Sequence, residues 1–272
     1  MDEEYLASGF AKVDEARDPD AYGRCLSLIH SLPFYQRCKE ESFVLLDIKR
    51  GDRILDAGCG LGEDVFQMAE RVGEGGVVVG FDASEKLISD ARTDSRVSRL
   101  PVQFKVGDLH DTGFPDNSFD KIRIDRVLQH ITKPQLVIQE LYRILKCGGS
   151  LLVYDNDWST FKIRSHNGAF TRMVETEWAE SFRSGFVGRH AKKFMGEVGI
   201  SDIEVIAKES TLKDFGVADE LYNLHQTARK LVMAGTISSI GCESWIEELK
   251  LQSDEKSFVV TLTSFLVIGR KP

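Results

Sequence analysis

No stretch of this 272-residue chain approaches the ~18 consecutive apolar residues that a membrane-spanning helix needs. The opening Met1-Asp2-Glu3-Glu4-Tyr5 is acidic and lacks the basic and apolar regions of a secretory signal. The cysteines, Cys25, Cys38, Cys59, Cys147 and Cys242, are odd in number and form no C-x-x-C pair. That pattern suggests neither a disulfide framework nor a zinc site, so no metal is expected and the cytoplasm is the expected compartment. Positive charge is also scarce: 35 Lys and Arg against 43 Asp and Glu leave a net charge of -8. This argues against a broad phosphate-binding surface, and no nucleic-acid partner is expected. Arg189, His190, Lys192 and Lys193 form a local basic patch, read as a solvated helix face. Internal repeats and low-complexity tracts are absent.

What is present is the balance of a globular protein, 42% apolar and 29% charged, long enough for one α/β domain with an accessory cap. Residues 1–47 read as helices with polar breaks. Arg53-Ile54-Leu55-Asp56 is a short strand running into a glycine loop. A helix follows, because Val65, Met68, Ala69 and Val72 recur at helical spacing. Further strands are read at 77–82, 102–106, 119–124 and 150–154. Ser84 is placed to cap the helix between the second and third, and Pro134 to open the helix before the fifth. Short apolar strands alternating with helices imply a parallel sheet covered on both faces. Ligands of such sheets bind beyond the carboxyl ends of the strands, where Asp56, Asp82, Asp108 and Asp155 are expected to share one rim. Two later strands are read at 203–206 and 258–267, with a helical segment at about 212–250 between them.

Asp56-Ala57-Gly58-Cys59-Gly60-Leu61-Gly62 permits positive φ and close approach of a ligand to the backbone. It feeds a helix N-terminus, which favours polar or anionic groups. Taken alone, such a loop also fits nicotinamide and flavin enzymes. The dinucleotide spacing G-x-G-x-x-G/A is not met, and Glu63 would repel a pyrophosphate facing it.

The stretch Ile54 to Gly62 resembles motif I of class I S-adenosylmethionine-dependent methyltransferases. Gly80-Phe81-Asp82 resembles their acidic second motif, and Gly107-Asp108-Leu109 with the stretch to Asp120 resembles the region around their third strand. Arg126-Val127-Leu128-Gln129-His130 is similar to the segment after strand four. Arg143-Ile144-Leu145-Lys146-Cys147-Gly148-Gly149 is similar to R-x-L-K-P-G-G, with Cys147 in place of proline. Asp125 is a second departure, where relatives often carry a small or apolar residue. The whole layout resembles the ubiquinone/menaquinone-type subgroup, and it lacks the Asn/Asp-Pro-Pro-Tyr/Phe signature of methyltransferases acting on bases and glutamines.

The resemblance implies a Rossmann-like, seven-stranded, mostly parallel sheet with helices on both faces and a partly helical cap. It divides the chain into an N-terminal helical segment, 1–47, and a methyltransferase domain, 48–272, with cap segments at about 158–195 and 210–255. S-adenosyl-L-methionine is the implied cofactor and a small molecule, methylated at O, C or N, the implied substrate. Asp82, with Ala83, would hold the ribose; Asp108, with Gly107 and Leu109, the adenine. Asp56, Gly58, Cys59 and Gly60 would form the loop at the amino-acid end, beside the backbone of Arg126. His130 and Asp155 are the candidate bases, with Asp157 and the Tyr154 hydroxyl nearby. His190 and His225 read as core or surface groups, and Trp158, Trp178 and Tyr222 as ordinary packing. The opposite wall is expected from the N-terminal helices and the 212–250 segment. A non-catalytic binding module and an RNA- or protein-directed methyltransferase are the competing readings. Nothing in the pattern speaks to oligomeric state.

Overall fold

The computed structural model describes residues 5–272, so the first four residues of the 1–47 segment lie outside the described residues. Three N-terminal helices come first: α1 (Leu6–Gly9), α2 (Pro19–Ser31) and α3 (Pro33–Leu45). A 3-10 turn, Phe10–Glu15, joins the first two. Both α2 and α3 begin on proline, whose fixed φ suits the first helical turn.

The sheet then begins with β1 (Arg53–Ala57), buried from Ile54 to Ala57 with Asp56 as its one buried charge. After α4 (Glu63–Val72) come β2 (Val77–Asp82), α5 (Glu85–Thr93) and β3 (Val102–Val106). The Ser84 hydroxyl accepts from Leu87 N at 3.1 Å, capping α5 as expected. Next are β4 (Phe119–Asp125), α6 (Pro134–Ile144) and β5 (Leu145–Ile163), followed by α7 (Gly168–Glu180), α8 (Val187–Glu197) and β6 (Ser201–Leu212). Three cap helices, α9 (Phe215–Tyr222), α10 (Leu224–Met233) and α11 (Ser239–Asp254), precede β7 (Val260–Arg270).

The seven strands form one sheet in the order β3-β2-β1-β4-β5-β7-β6. β1 to β5 pair in parallel, and β7 runs antiparallel between β5 and β6. The chain steps outward from β1 to β3 and returns to the other side of β1 as β4. That reversal leaves a crevice at the carboxyl ends of β1 and β4.

Alternate residues of the strands feed opposite layers. Ile54 and Val78 pack with α4, α5 and Phe43 of α3, whereas Leu55, Val79 and Ile122 pack with α6 and α8. β5 runs nine residues beyond the 150–154 strand read from sequence. Its extension carries Trp158 and Phe161 into a third core with α7, α9, α10 and α11. Residues 158–163, expected as cap, are therefore strand. Helix α8, also assigned to the cap, instead covers the sheet through Val187, Ala191 and Met195. No helix among the described residues is long and apolar enough to cross a membrane.

Candidate functional site

A cavity of about 550 Å³ opens over the crevice between β1 and β4. One end is built by the strand ends and the other by the N-terminal helices and the cap.

The strand end starts at the glycine loop. Gly58 has φ +76°, and a Cβ there would stand 2.2 Å from Val127 Cγ2, so only glycine lets β1 and the segment after β4 meet. Gly62 (φ +77°) precedes α4, and a Cβ there would enter the Phe104 ring at 2.6 Å. Asp82, at the end of β2, holds the loop: its carboxylate accepts from Gly60 N at 2.9 Å and from Ser84 N at 3.0 Å. Burial pushes its carboxyl up, against the lowering effect of the Ser84, Gly60 and Ala83 amides. Asp108 is exposed; the His110 amide, donating at 2.9 Å, holds its carboxyl below the usual range despite partial desolvation. Gly58, Gly60, Asp82, Ala83, Gly107, Asp108, Leu109 and Arg126 all line the cavity.

Asp56 and Cys59 do not. Asp56, 3% exposed, lies beneath the loop and accepts from Arg123 Nη1 at 3.1 Å. Arg123 is fully buried between Ile122 and Ile124, and also pairs with Asp64 and Asp125. Lys39 of α3 reaches Asp64 at 2.5 Å, and Arg126 Nε reaches Asp125 at 2.6 Å. Three carboxylates and three cations thus share one interior site. Burial, with Asp64 and Asp125 nearby, pushes the Asp56 carboxyl up despite the Arg123 charge. The Asp125 carboxyl is also desolvated, but Arg126 and Arg123 hold it low. Asp125, the departure noted in the sequence, belongs to this network. Glu63 is engaged elsewhere, forked onto Arg96 at 3.0 and 2.8 Å, and does not line the cavity. Repulsion of a pyrophosphate by Glu63 is therefore not what shapes this site.

Arg126 takes φ +55°, an uncommon conformation for a side-chain-bearing residue. Its amide donates to Tyr154 O at 2.7 Å, and its guanidinium lies 4.9 Å from the Tyr35 ring centre. His130 follows in a 3-10 turn (Leu128–His130) and lines the cavity between Phe10 and Phe182, at 5.3 and 5.5 Å between ring centres. Burial lowers its imidazole pKa to about 4, so it is neutral near pH 7. Asp155, the second candidate base, is fully buried away from the cavity and accepts from Gln129 N and Asn156 N. Burial raises its carboxyl to about 7. Placing Asp155 on the open rim is therefore corrected: β5 continues past it, and the turn at 128–130 covers it. Asp157 is likewise buried, and binds Arg189 of the exposed basic patch at 2.5 Å.

The far wall comes from the elements expected for it and from more. Leu6, Ala7 and Phe10 contribute from the first turns, Leu26 from α2, Tyr35 from α3 and Tyr222 from α9. Trp158, Trp178 and Phe182 complete it, with Trp158 and Phe182 stacked at 4.4 Å. The tryptophans and Tyr222 are thus both core and lining. Sequence reasoning gave Gln129 no role, although it lies in the Arg126–His130 segment, and missed Phe182 and Arg183, whose spacing carries no motif. It also missed that Arg123 would draw Asp56 inward.

The site therefore joins a polar end, with the Asp82 and Asp108 carboxylates, the ion-paired Asp125 and close-packed glycine backbone, to an aromatic end. Such a surface grips and orients ligands, and among the described residues it presents no free carboxylate base at the aromatic end.

Comparison with known proteins places this geometry in a family. A 37.1 kDa protein of transposon TN4556 from Streptomyces fradiae is 30% identical over 83% of this chain and 64% of its own length. The demethylmenaquinone methyltransferase of Listeria welshimeri is 34% identical over 53% of this chain and 61% of its own. This chain thus spans less than two thirds of the length of either curated relative. Among solved structures, phosphoethanolamine N-methyltransferase 2 of Haemonchus contortus, in complex with S-adenosyl-L-methionine, aligns with a TM-score of 0.59 at 21% identity, covering 97% of this chain and 60% of that one. The methyltransferase-domain family matches residues 48–196, more than half the chain and all of β1 to β5 with their glycine loop and strand-end acids, and the chain belongs to that family.

Proposed function

We propose that this protein is an S-adenosylmethionine-dependent methyltransferase acting on a small molecule. The observation that carries the reading is the two-ended cavity, with Asp82 and Asp108 at one end and an aromatic wall at the other.

The residues fit the donor chemically. Asp82 spends one acceptor site of each oxygen on the loop, which leaves lone pairs for two ribose hydroxyls. Asp108 accepts His110 through Oδ1 and keeps Oδ2 for an adenine amino group, with Leu109 beside the ring. Gly58, Gly60 and the backbone at Arg126, all lining the cavity, would take the amino-acid end. Asp56 and Cys59 support that loop from below. When bound, the donor supplies a methyl group activated by its sulfonium.

The protein's share is position and dryness. The wall of Trp158, Phe182 and Tyr222 favours a flat, largely apolar acceptor and excludes water from the transfer. The acceptor's nucleophilic atom takes the methyl without losing a proton to Asp125, which is ion-paired, or to His130, whose two nitrogens are engaged. A quinone acceptor of the Listeria type is compatible with this wall, and five free thiols suit a reducing compartment such as the cytoplasm.

Calorimetric titration with S-adenosylhomocysteine tests the donor half, and methyl-labelled donor with a metabolite extract tests the acceptor half. Saturable binding and a labelled small product are expected. No heat and no melting shift would sink the reading.

A further inference from the structure

The segment 5–15 crosses the mouth of the cavity, with Leu6, Ala7, Phe10 and Ala11 facing inward. Its own regular structure is slight, a four-residue helix and a 3-10 turn. Its ends are pinned to distant elements. Tyr5 Oη lies 2.7 Å from Thr227 Oγ1, and Leu6 N donates to Asn223 Oδ1 at 3.0 Å. At the other end the Asp14 carboxylate accepts from Ser84 Oγ, Glu85 N and Lys86 N at 2.6, 2.7 and 3.2 Å. Between those pins a side-chain bond reaches the segment from the cavity floor: His130 Nδ1 lies 3.1 Å from the Ala7 carbonyl oxygen.

A carbonyl oxygen only accepts, so this bond requires the proton on Nδ1. The neighbour, Gln129, imposes that tautomer. Its Oε1 accepts from Asn156 Nδ2 at 3.0 Å and Trp158 Nε1 at 2.9 Å, which fixes the orientation of the amide. The amide nitrogen therefore turns to Arg126 O at 3.3 Å and His130 Nε2 at 3.1 Å. Nε2 must then accept, and Nδ1 must carry the hydrogen. Trp158 Nε1 only donates and so sets Gln129 Oε1 as the acceptor, and Asn156 then presents Nδ2 to Gln129 and Oδ1 to the Ser264 hydroxyl at 2.6 Å. The polarity runs without a break from Trp158 on β5 through Gln129 and His130 to the Ala7 carbonyl.

We propose that residues 5–15 form a lid over the cavity, and that Gln129 and His130 are its latch, with His130 holding the Ala7 carbonyl instead of taking a proton from an acceptor. Gln129 is the positioning residue, since it acts only through the imidazole. Ligands enter when the lid lifts, and the latch sets how often it does so. The turnover arm of the test rests on the methyltransferase reading; the other two arms do not.

The first arm is hydrogen exchange over residues 5–15 in the ligand-free protein. Loss of one hydrogen bond in His130→Leu is expected to speed lid exchange roughly 3- to 10-fold, and His130→Asn, which keeps a donor near the Nδ1 position, is expected to restore protection. Equal lid exchange in wild type and the leucine variant overturns the proposal. The second arm needs no variant: nitrogen chemical shifts of the His130 ring are expected to place the proton on Nδ1, and a proton on Nε2 overturns it. In the third arm, turnover lost in His130→Leu is expected to recover in His130→Asn. An asparagine variant with a protected lid and no turnover would mark a base and overturn the latch. Failure of the wild type to bind S-adenosylhomocysteine would sink the functional reading while leaving the exchange and tautomer results to decide the latch.

Discussion

The Asp82 carboxylate accepts from Gly60 and Ser84 before any ligand arrives, so it shapes the loop as well as the proposed ribose site. Under the donor reading, Asp82→Ala is expected to weaken S-adenosylhomocysteine binding by about 1.5–3 kcal/mol, the scale of lost charge-assisted hydrogen bonds. Calorimetry reads this directly, and unchanged affinity would remove Asp82 from the ribose. Asp56 shows where residue-level reading stops. In sequence both are acids closing an apolar strand before a turn. They separate only in space, because Arg123 alternates with Ile122 and Ile124 on β4 and faces the same interior as Asp56 and Asp64. No spacing rule joins residues 56, 64, 123 and 125, which come from three elements. Gln129 was illegible for a similar reason: its four side-chain bonds reach 126, 130, 156 and 158 only once β5 is paired.

At the scale of elements, β1, β2 and β4 were legible because their central residues are buried by helices on both sides, and the edge strand β3, with only Phe104 buried, from its short β-branched and aromatic run. β5 was cut short at 154 because Asp155, Asn156 and Asp157 interrupt the apolar pattern. These three residues are nonetheless buried, since each polar group finds a partner: the Gln129 amide, Ser264 and Arg189 respectively. The same pairing accounts for α8 lying on the sheet. Arg189 grips Asp157 through Nε at 2.5 Å and Nη2 at 2.8 Å, tying α8 to β5. Asp157 is buried but Arg189 is 44% exposed, so solvent screening discounts the pair. Arg189→Ala is expected to cost about 1–2 kcal/mol, and Lys192→Ala, on the same helix, less than about 0.5 kcal/mol. Thermal melts of the two variants check this; equal midpoints would mean that Asp157 is satisfied without its partner.

For the whole molecule, the matched family region begins at residue 48, yet the interior does not. Lys39 pairs with Asp64 with both side chains about one tenth exposed, and Ser42 Oγ accepts from Arg123 Nε at 3.0 Å. Phe43 packs with Ile54 and Phe66, and Tyr35 lies under Arg126. The N-terminal helices thus supply one of the three cations that balance Asp56, Asp64 and Asp125, and they roof the cavity too. Of the expected segment 1–47, the described residues 5–47 pack into the same core as the rest of the chain. Removing one partner of a buried pair leaves the other charge desolvated, which costs about 3–5 kcal/mol. Arg123 remains 3.0 Å from Asp64, so Lys39→Met is expected nearer 2–3 kcal/mol, on the order of 4–10 °C in melting temperature. A chain starting at residue 48 loses Lys39, Ser42, Phe43 and Tyr35 together. It is expected to show no cooperative melt and to bind no S-adenosylhomocysteine, although every strand-end acid is retained. A sharp transition within a few degrees of the full chain would show that residues 48–272 hold their charge network without help. The six-charge interior would then be a local feature of β1, α4 and β4, and no longer the joint between the N-terminal helices and the sheet.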